Sequence, residues 1–139
     1  ATGLPALADD SGLCVDVLGG APGVLSARFA GEPKSDARNN ALLLERLAGE
    51  PNRHARFYCA LALVRHADDP QPIIACGEWR GGILETPRGQ GGFGHDPLFL
   101  VPHPDQTAAE IDHSLKNVLS HRGKAMRQLL DRLRAEQQA

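Results

Sequence analysis

The chain has 139 residues, of which 42% are hydrophobic and 23% charged, an ordinary composition for one soluble domain able to bury a core. Lys+Arg 15 against Asp+Glu 17 leaves a formal net charge of −2, which argues against a basic nucleic-acid binder or a polybasic membrane anchor. No apolar run approaches the roughly 20 residues of a spanning helix, and none reads as a secretory h-region, so cytoplasmic residence without membrane or nucleic-acid partners is expected.

Along the chain, "ALADDSGL" reads as the end of a strand carrying the adjacent carboxylates Asp9 and Asp10. "LCVDVLGG" alternates Leu13, Val15 and Val17 against Cys14 and Asp16, so the spacing predicts a strand stopping at Gly19-Gly20. "GGAPG" is a turn, and "VLSARFAGEP" a short irregular or helical piece. Ser35 can cap a helix to about Ala48, with Leu43, Leu44 and Leu47 on one face and Gly49 as stop. Residues 54–66 form a long strand with apolar residues on both faces, hence a central strand covered on two sides. "IIACGEWRGGIL" returns as its antiparallel partner, with Gly81-Gly82 as a bulge or bend. A glycine-rich loop then enters a short strand at 98–101, and an amphipathic helix closes the chain. Ser120 is its N-cap, and Ala125, Met126, Leu129, Leu130 and Leu133 form its apolar stripe. The fold class is therefore α/β, a mixed and partly antiparallel sheet flanked by helices. Cys14, Cys59 and Cys76 are odd in number and widely spaced, so packed thiols are expected rather than disulfides or a zinc site.

Four constellations carry possible chemistry. Asp9-Asp10-Ser11-Gly12 places two carboxylates between apolar segments. Mg²⁺ takes one or two carboxylates plus phosphate oxygens, and a carboxylate beside it can deprotonate water, whereas the structural alternative is an Asx-turn. In Gly91-Gly92-Phe93-Gly94-His95-Asp96-Pro97, glycines allow close approach, and Phe93 and His95 offer π-faces to a planar base. A glycine-rich hairpin with Phe93 in the core is the alternative. Lys116 precedes Ser120-His121-Arg122, whose cations fall at the helix end that disfavours them. That placement makes sense if an anion joins them. Arg28, in Ser26-Ala27-Arg28, carries little by itself and is a surface arginine by default. Together the four suggest a nucleotide-handling, Mg²⁺-dependent phosphohydrolase.

The segments "LPALADDSGLCVDVLGGAPGVLSARFAGE", "GGFGHDPLF" and "KNVLSHRGKAM" resemble the inosine/xanthosine triphosphate pyrophosphatases, the RdgB-like enzymes of nonstandard purine nucleotides, from residue 1 to about residue 134. The resemblance implies hydrolysis of dITP, ITP and XTP to monophosphate and pyrophosphate with Mg²⁺, in a homodimer that cleanses the nucleotide pool. It implies Asp10 as proton acceptor and metal contact, with Asp9 as its metal-side neighbour. Ser11, Arg28, Phe93, Gly94, His95, Asp96, Lys116, His121 and Arg122 are the implied substrate contacts. His95 stands where the family usually has Tyr or Trp; an imidazole has a smaller face and can charge, which would make base binding weaker or pH-sensitive.

The family's opening strand, its "TGN…K" phosphate loop and an acidic metal ligand have no counterpart in these 139 residues. The chain is thus expected to be an N-terminally incomplete domain over 1–139 with little activity alone. The alternatives are a catalytically silent nucleotide-binding or dimerisation module, and a hydrolase of another modified nucleotide.

Overall fold

The computed structural model describes residues 5–137. Strand β1 (Ala6–Val15) is followed by β2 (Pro22–Gly23), α1 (Asp36–Arg46), β3 (His54–Val64) and β4 (Ile73–Ile83). Then come β5 (Phe99–Val101), β6 (Gln106–Thr107), α2 (His113–Leu119) and α3 (His121–Gln137). The strands form one sheet in the order β2-β1-β3-β4-β5-β6, and every described pairing is antiparallel. The α/β class stands, and the parallel pairs that a mixed sheet would contain are absent among the described residues.

Alternation along the long strands decides where the core lies. Ala55, Phe57, Cys59 and Leu61 of β3 are buried, as are Ile73, Ala75, Gly77 and Trp79 of β4. Their in-between neighbours Arg56, Tyr58, Ala60 and Ala62 are only half-buried, and Ile74, Cys76, Glu78 and Arg80 are exposed. The expectation of a strand covered on two sides is therefore corrected: β3 and β4 have one helix-covered face and one open face. Tyr58, Ala60, Ala62 and Val64 made the open face of β3 read as core, yet each is only half-buried.

The covered face has two adjoining cores. In one, Leu43 and Leu47 of α1 pack with Leu13, Val15, Ala55, Phe57, Trp79 and Phe99. In the other, Ala125 and Leu129 of α3 pack with Cys59, Leu61, Ile73 and Ala75. Each fully buried Leu of this kind contributes about 1.5–3 kcal/mol. The apolar stripe of α3 is narrower than expected: Met126 and Leu130 are exposed, while Leu133 packs against the second core. Ser35 caps α1 by accepting from the Arg38 N–H at 3.2 Å, and the helix ends at Arg46, two residues short of the expected Ala48.

Three further expectations change. The Asp pair lies within β1, not at its end, because β1 begins at Ala6 and pairs with β3 without a break. The strand stops at Val15 rather than at the glycines, since Asp16–Leu18 curl into a 3-10 turn closed by Gly19 at φ 67°. Gly81 and Gly82 form no bulge, for their register with Ala55 and His54 is continuous. Gly81 is small because the Leu100 carbonyl and the Phe99 ring occupy the space where a Cβ would stand.

Candidate active site

A cleft of about 620 Å³ opens at the seam between the two cores. Ser11, Leu13 and Phe57 reach it from the sheet, Phe93–Asp96 from the glycine-rich loop, and Lys116, His121 and Arg122 from α2 and α3. Three segments far apart in sequence thus meet, although Asp9 and Asp10 themselves do not line the cleft.

The loop is held by α1. Asp36 and Asn40, one turn apart, hold the two peptide groups that flank Gly94: Asp36 Oδ2 accepts from the Gly94 N–H at 3.0 Å, and Asn40 Nδ2 donates to the Gly94 carbonyl at 3.0 Å. Asn40 Oδ1 lies 2.7 Å from His95 Nδ1. Gly94 adopts φ 60°, a conformation disfavoured for residues with a Cβ. Inside the loop, buried Asp96 accepts from the Phe93 N–H at 3.1 Å and pairs with Lys116 Nζ at 2.8 Å. Phe93 is left 70% exposed, with the Lys116 ammonium 5.6 Å from its ring centroid. Phe93 therefore offers an open face, whereas His95 is 3% exposed and forms wall rather than platform.

The opposite wall is the corner between α2 and α3. Ser120 ends α2, its N–H donating to the Lys116 carbonyl at 2.8 Å, and starts α3, its Oγ accepting from the Gly123 N–H at 3.0 Å. The expected N-cap is in place. A Cβ on Gly77 of β4 would fall on the His121 carbonyl oxygen and lie 2.7 Å from the Ala125 nitrogen, so this glycine lets α3 press its first turn onto the sheet. The His121 ring stacks on Phe57, centroids 4.9 Å apart and planes 16° apart.

Burial holds His95 below its ordinary pKa of 6.5, against the pull of the Ser26 backbone and the Asp36 and Asp96 charges. His121 is lowered to about 4, first by burial and then by the Arg122 charge, with Lys116 adding to it and Asp96 and Asp9 opposing. Both rings are neutral at pH 7. His95 Nε2 and His121 Nδ1 are buried with no hydrogen-bond partner among the described residues, a costly condition for a polar atom.

The two aspartates part company. Asp9 shares the covered face with Ser11 and Leu13, where its Oδ2 pairs with Arg122 Nη2 at 2.8 Å and its Oδ1 accepts from Ser11 Oγ at 2.6 Å. Asp10 stands exposed on the open face, in register with Ala60. Its charge and a hydrogen bond to it help to raise the Tyr58 pKa, after burial as the larger cause. Arg28 is not brought to the cleft: it pairs with Glu32 at the surface. Sequence reasoning missed Asp36, Asn40, Asn117 and His113, of which all but Asn40 line the cleft. It also missed α2 itself, although Asp112 at its start is an N-cap residue type and accepts from the Ser114 N–H.

Comparison with known proteins places these residues in a family. Over 132 residues the chain is 73% identical to a dITP/XTP pyrophosphatase of Aromatoleum aromaticum, covering 95% of this chain and 67% of that protein. It is 63% identical over 134 residues to the dITP/XTP pyrophosphatase of Chromobacterium violaceum, covering 96% and 68%. A solved Ham1 protein from Coxiella burnetii superposes with a TM-score of 0.92 at 49% identity, covering 96% of this chain and 69% of that one. The chain thus spans about two thirds of the length of these relatives. The resemblance drawn from the three motifs is borne out, and with the Ham1 family model matching residues 1–132, the chain belongs to the Ham1 family.

Proposed function

We propose that the cleft is a purine site, and that this chain belongs to an Mg²⁺-dependent pyrophosphatase that hydrolyses dITP, ITP and XTP to monophosphate and pyrophosphate. Such an enzyme clears deaminated purines from the nucleotide pool. The observation that carries the reading is the cleft itself, in which Phe93 presents an open ring face beside the cationic side chains of Lys116 and Arg122. A planar heteroaromatic ligand with polar edges answers both features. Lys116 and Arg122 add N–H donors, which suit the 6-keto oxygen of hypoxanthine or xanthine. Adenine puts an amino group there, leaving donor against donor, a strong form of rejection.

The reacting end of the nucleotide belongs at Asp10. Asp10 takes a proton from a water molecule as that water attacks the α-phosphorus; the α–β anhydride bond breaks and pyrophosphate leaves. Asp10 also fits as the carboxylate that would hold Mg²⁺. Asp9 fits less well, because both its oxygens already have partners. No three His, Cys, Asp or Glu side chains converge among the described residues; an ion held by Asp10 would have to complete its shell with phosphate and water. Bound there, the ion would neutralise charge on the phosphates.

Because the 139 residues hold no "TGN…K" segment, we expect this chain alone to bind the base and turn over little. The homodimer and cytoplasmic residence implied by the resemblance belong to the same reading; no helix among the described residues is long and apolar enough to cross a membrane. Pyrophosphate release from dITP, XTP, dATP and dUTP with Mg²⁺ tests it. Turnover of dATP or dUTP matching that of dITP would overturn the substrate assignment. A silent binding module would instead bind dITP equally with and without Mg²⁺ and be indifferent to Asp10→Asn.

A further inference from the structure

We infer that Asp9 is a positioning residue, which holds the Arg122 guanidinium at the cleft rather than serving as a metal ligand. The first turn of a helix repels a cation, since the unpaired N–H groups and the dipole present positive charge there. Arg122 nonetheless stands in the first turn of α3, and the compensating anion comes from β1: Asp9 Oδ2 lies 2.8 Å from Arg122 Nη2. That carboxylate is itself fixed. Its Oδ1 accepts from Ser11 Oγ at 2.6 Å and lies 3.6 Å from Cys59 Sγ. Asp9 and Ser11 point the same way because they are two apart on one strand, and they stand beside Leu61 and Cys59 of β3.

A guanidinium has five N–H donors in a rigid fork. One nitrogen is taken by Asp9, and the others are left to meet a ligand in the cleft that Arg122 lines. With the α3 backbone seated against Gly77, the ion pair sets the remaining freedom, which is the direction of the side chain. A cation bound by Asp9 would have to displace Arg122 or Ser11 from it.

The clamp stands on geometry alone; only the identity of its ligand rests on the purine reading. Side-chain ¹⁵N–¹H spectra test the clamp without any ligand. In the wild type the Arg122 side-chain N–H signals should show a restricted, slowly exchanging group. Asp9→Asn should release them to the averaged behaviour of a surface arginine, and Asp9→Glu, which keeps the charge, should retain most of the restriction. Arg122 signals equally mobile in the wild type and in Asp9→Asn would overturn the proposal. Thermal unfolding of each variant separates misfolding from release, and Asp9→Glu keeps the test open if Asp9→Asn does not fold.

Binding of inosine 5′-monophosphate supplies the second arm. It can be followed by the emission of Trp79, the single tryptophan, whose ring lies 6.4 Å from that of His121. Asp9→Asn should weaken binding roughly fivefold to tenfold, about the loss of one charge-assisted contact at a partly exposed pair. In an Arg122→Gln background the same substitution should cost nothing further. An undiminished loss in that background, or a loss seen only when Mg²⁺ is present, would refute the clamp. Restricted Arg122 signals together with no inosine monophosphate binding by the wild type would support the clamp and remove the purine reading.

Discussion

On the covered face of the sheet, Asp9, Ser11 and Leu13 stand over Leu61, Cys59 and Phe57, and every polar group among them has a partner. On the open face, Asp10 and Cys14 stand beside Ala60 and Arg56, half-covered at most, with Tyr58 leaning across Gly12. The same ten-residue strand supplies both. An ion pair and a hydrogen bond, more than burial, fix Asp9 and Ser11 on the first face, which suits recognition, where small errors in position cost affinity. The second face leaves a carboxylate hydrated and reachable, which suits a group that must accept a proton from water and let products leave. Adjacent aspartates look redundant in sequence; the two-residue period of a strand gives them separate tasks.

The largest expected effect tests that division of labour. In a preparation that hydrolyses dITP, Asp10→Asn should lower turnover by roughly 10²–10⁴-fold, the usual range for a positioned general base. Binding of inosine 5′-monophosphate should stay within about twofold, because Asp10 lies outside the cleft. A comparable loss of binding would erase the distinction between the two faces.

Gly77→Ala should come next, destabilising the protein by about 1–3 kcal/mol in denaturant unfolding, the range for overpacking against atoms that cannot yield. The obstacles are backbone atoms of α3, the His121 carbonyl and the Ala125 nitrogen. Base binding should weaken with stability, since the helix that moves carries His121 and Arg122. Gly82→Ala, where the nearest atom to an added Cβ is the Arg53 carbonyl at 3.4 Å, should have a much smaller effect.

The smallest effect is on pH dependence. His121 is held neutral in the folded state down to about 4, against an ordinary 6.5. Between those values the unfolded chain binds more protons, so this contribution is full above pH 6.5 and is lost as pH falls towards 4. It amounts to about 2 kcal/mol, less than the full shift would give because the ring is partly exposed. His121→Phe should flatten the stability profile over that interval, measured by denaturant unfolding at several pH values. An unchanged slope would place the acid sensitivity elsewhere.

Hydrophobic period revealed most of this fold before any coordinates. Phe57, Cys59 and Leu61 mark β3, Leu43 and Leu47 mark α1, and Leu129 and Leu133 mark α3, because each set keeps one spacing over several turns or pleats. What stayed hidden depends on neighbours distant in sequence. Helix α2 has only seven residues, so although Leu115, Val118 and Leu119 fall at helical spacing the run is too short for the period to stand out. Asp36 and Asn40 carry no signal in sequence; their role exists only because residue 94 arrives beside them. The one-sidedness of the sheet was obscured by Tyr58, Ala60, Ala62 and Val64, an apolar set equally at home under a helix or half-exposed to water. In the candidate site, the Asp pair and Arg122 stood out in sequence by breaking a local rule of charge, whereas nothing local set Phe93 or Lys116 apart. Arg122 was the clearest case. A cation at the wrong end of a helix implied an anion, and Asp9 is the one this structure supplies.

Ser120 closes one helix and opens the next with no residue to spare. A loop would absorb an insertion there, but a corner of one residue cannot. Each added residue would turn α3 by about 100° about its axis, swinging Arg122 off Asp9 and the Ala125–Leu129 face off the sheet. This junction should therefore tolerate substitutions that keep the cap but no change in length, and in any series of viable descendants of this chain the spacing from Lys116 to Arg122 should be counted in the same number of residues every time.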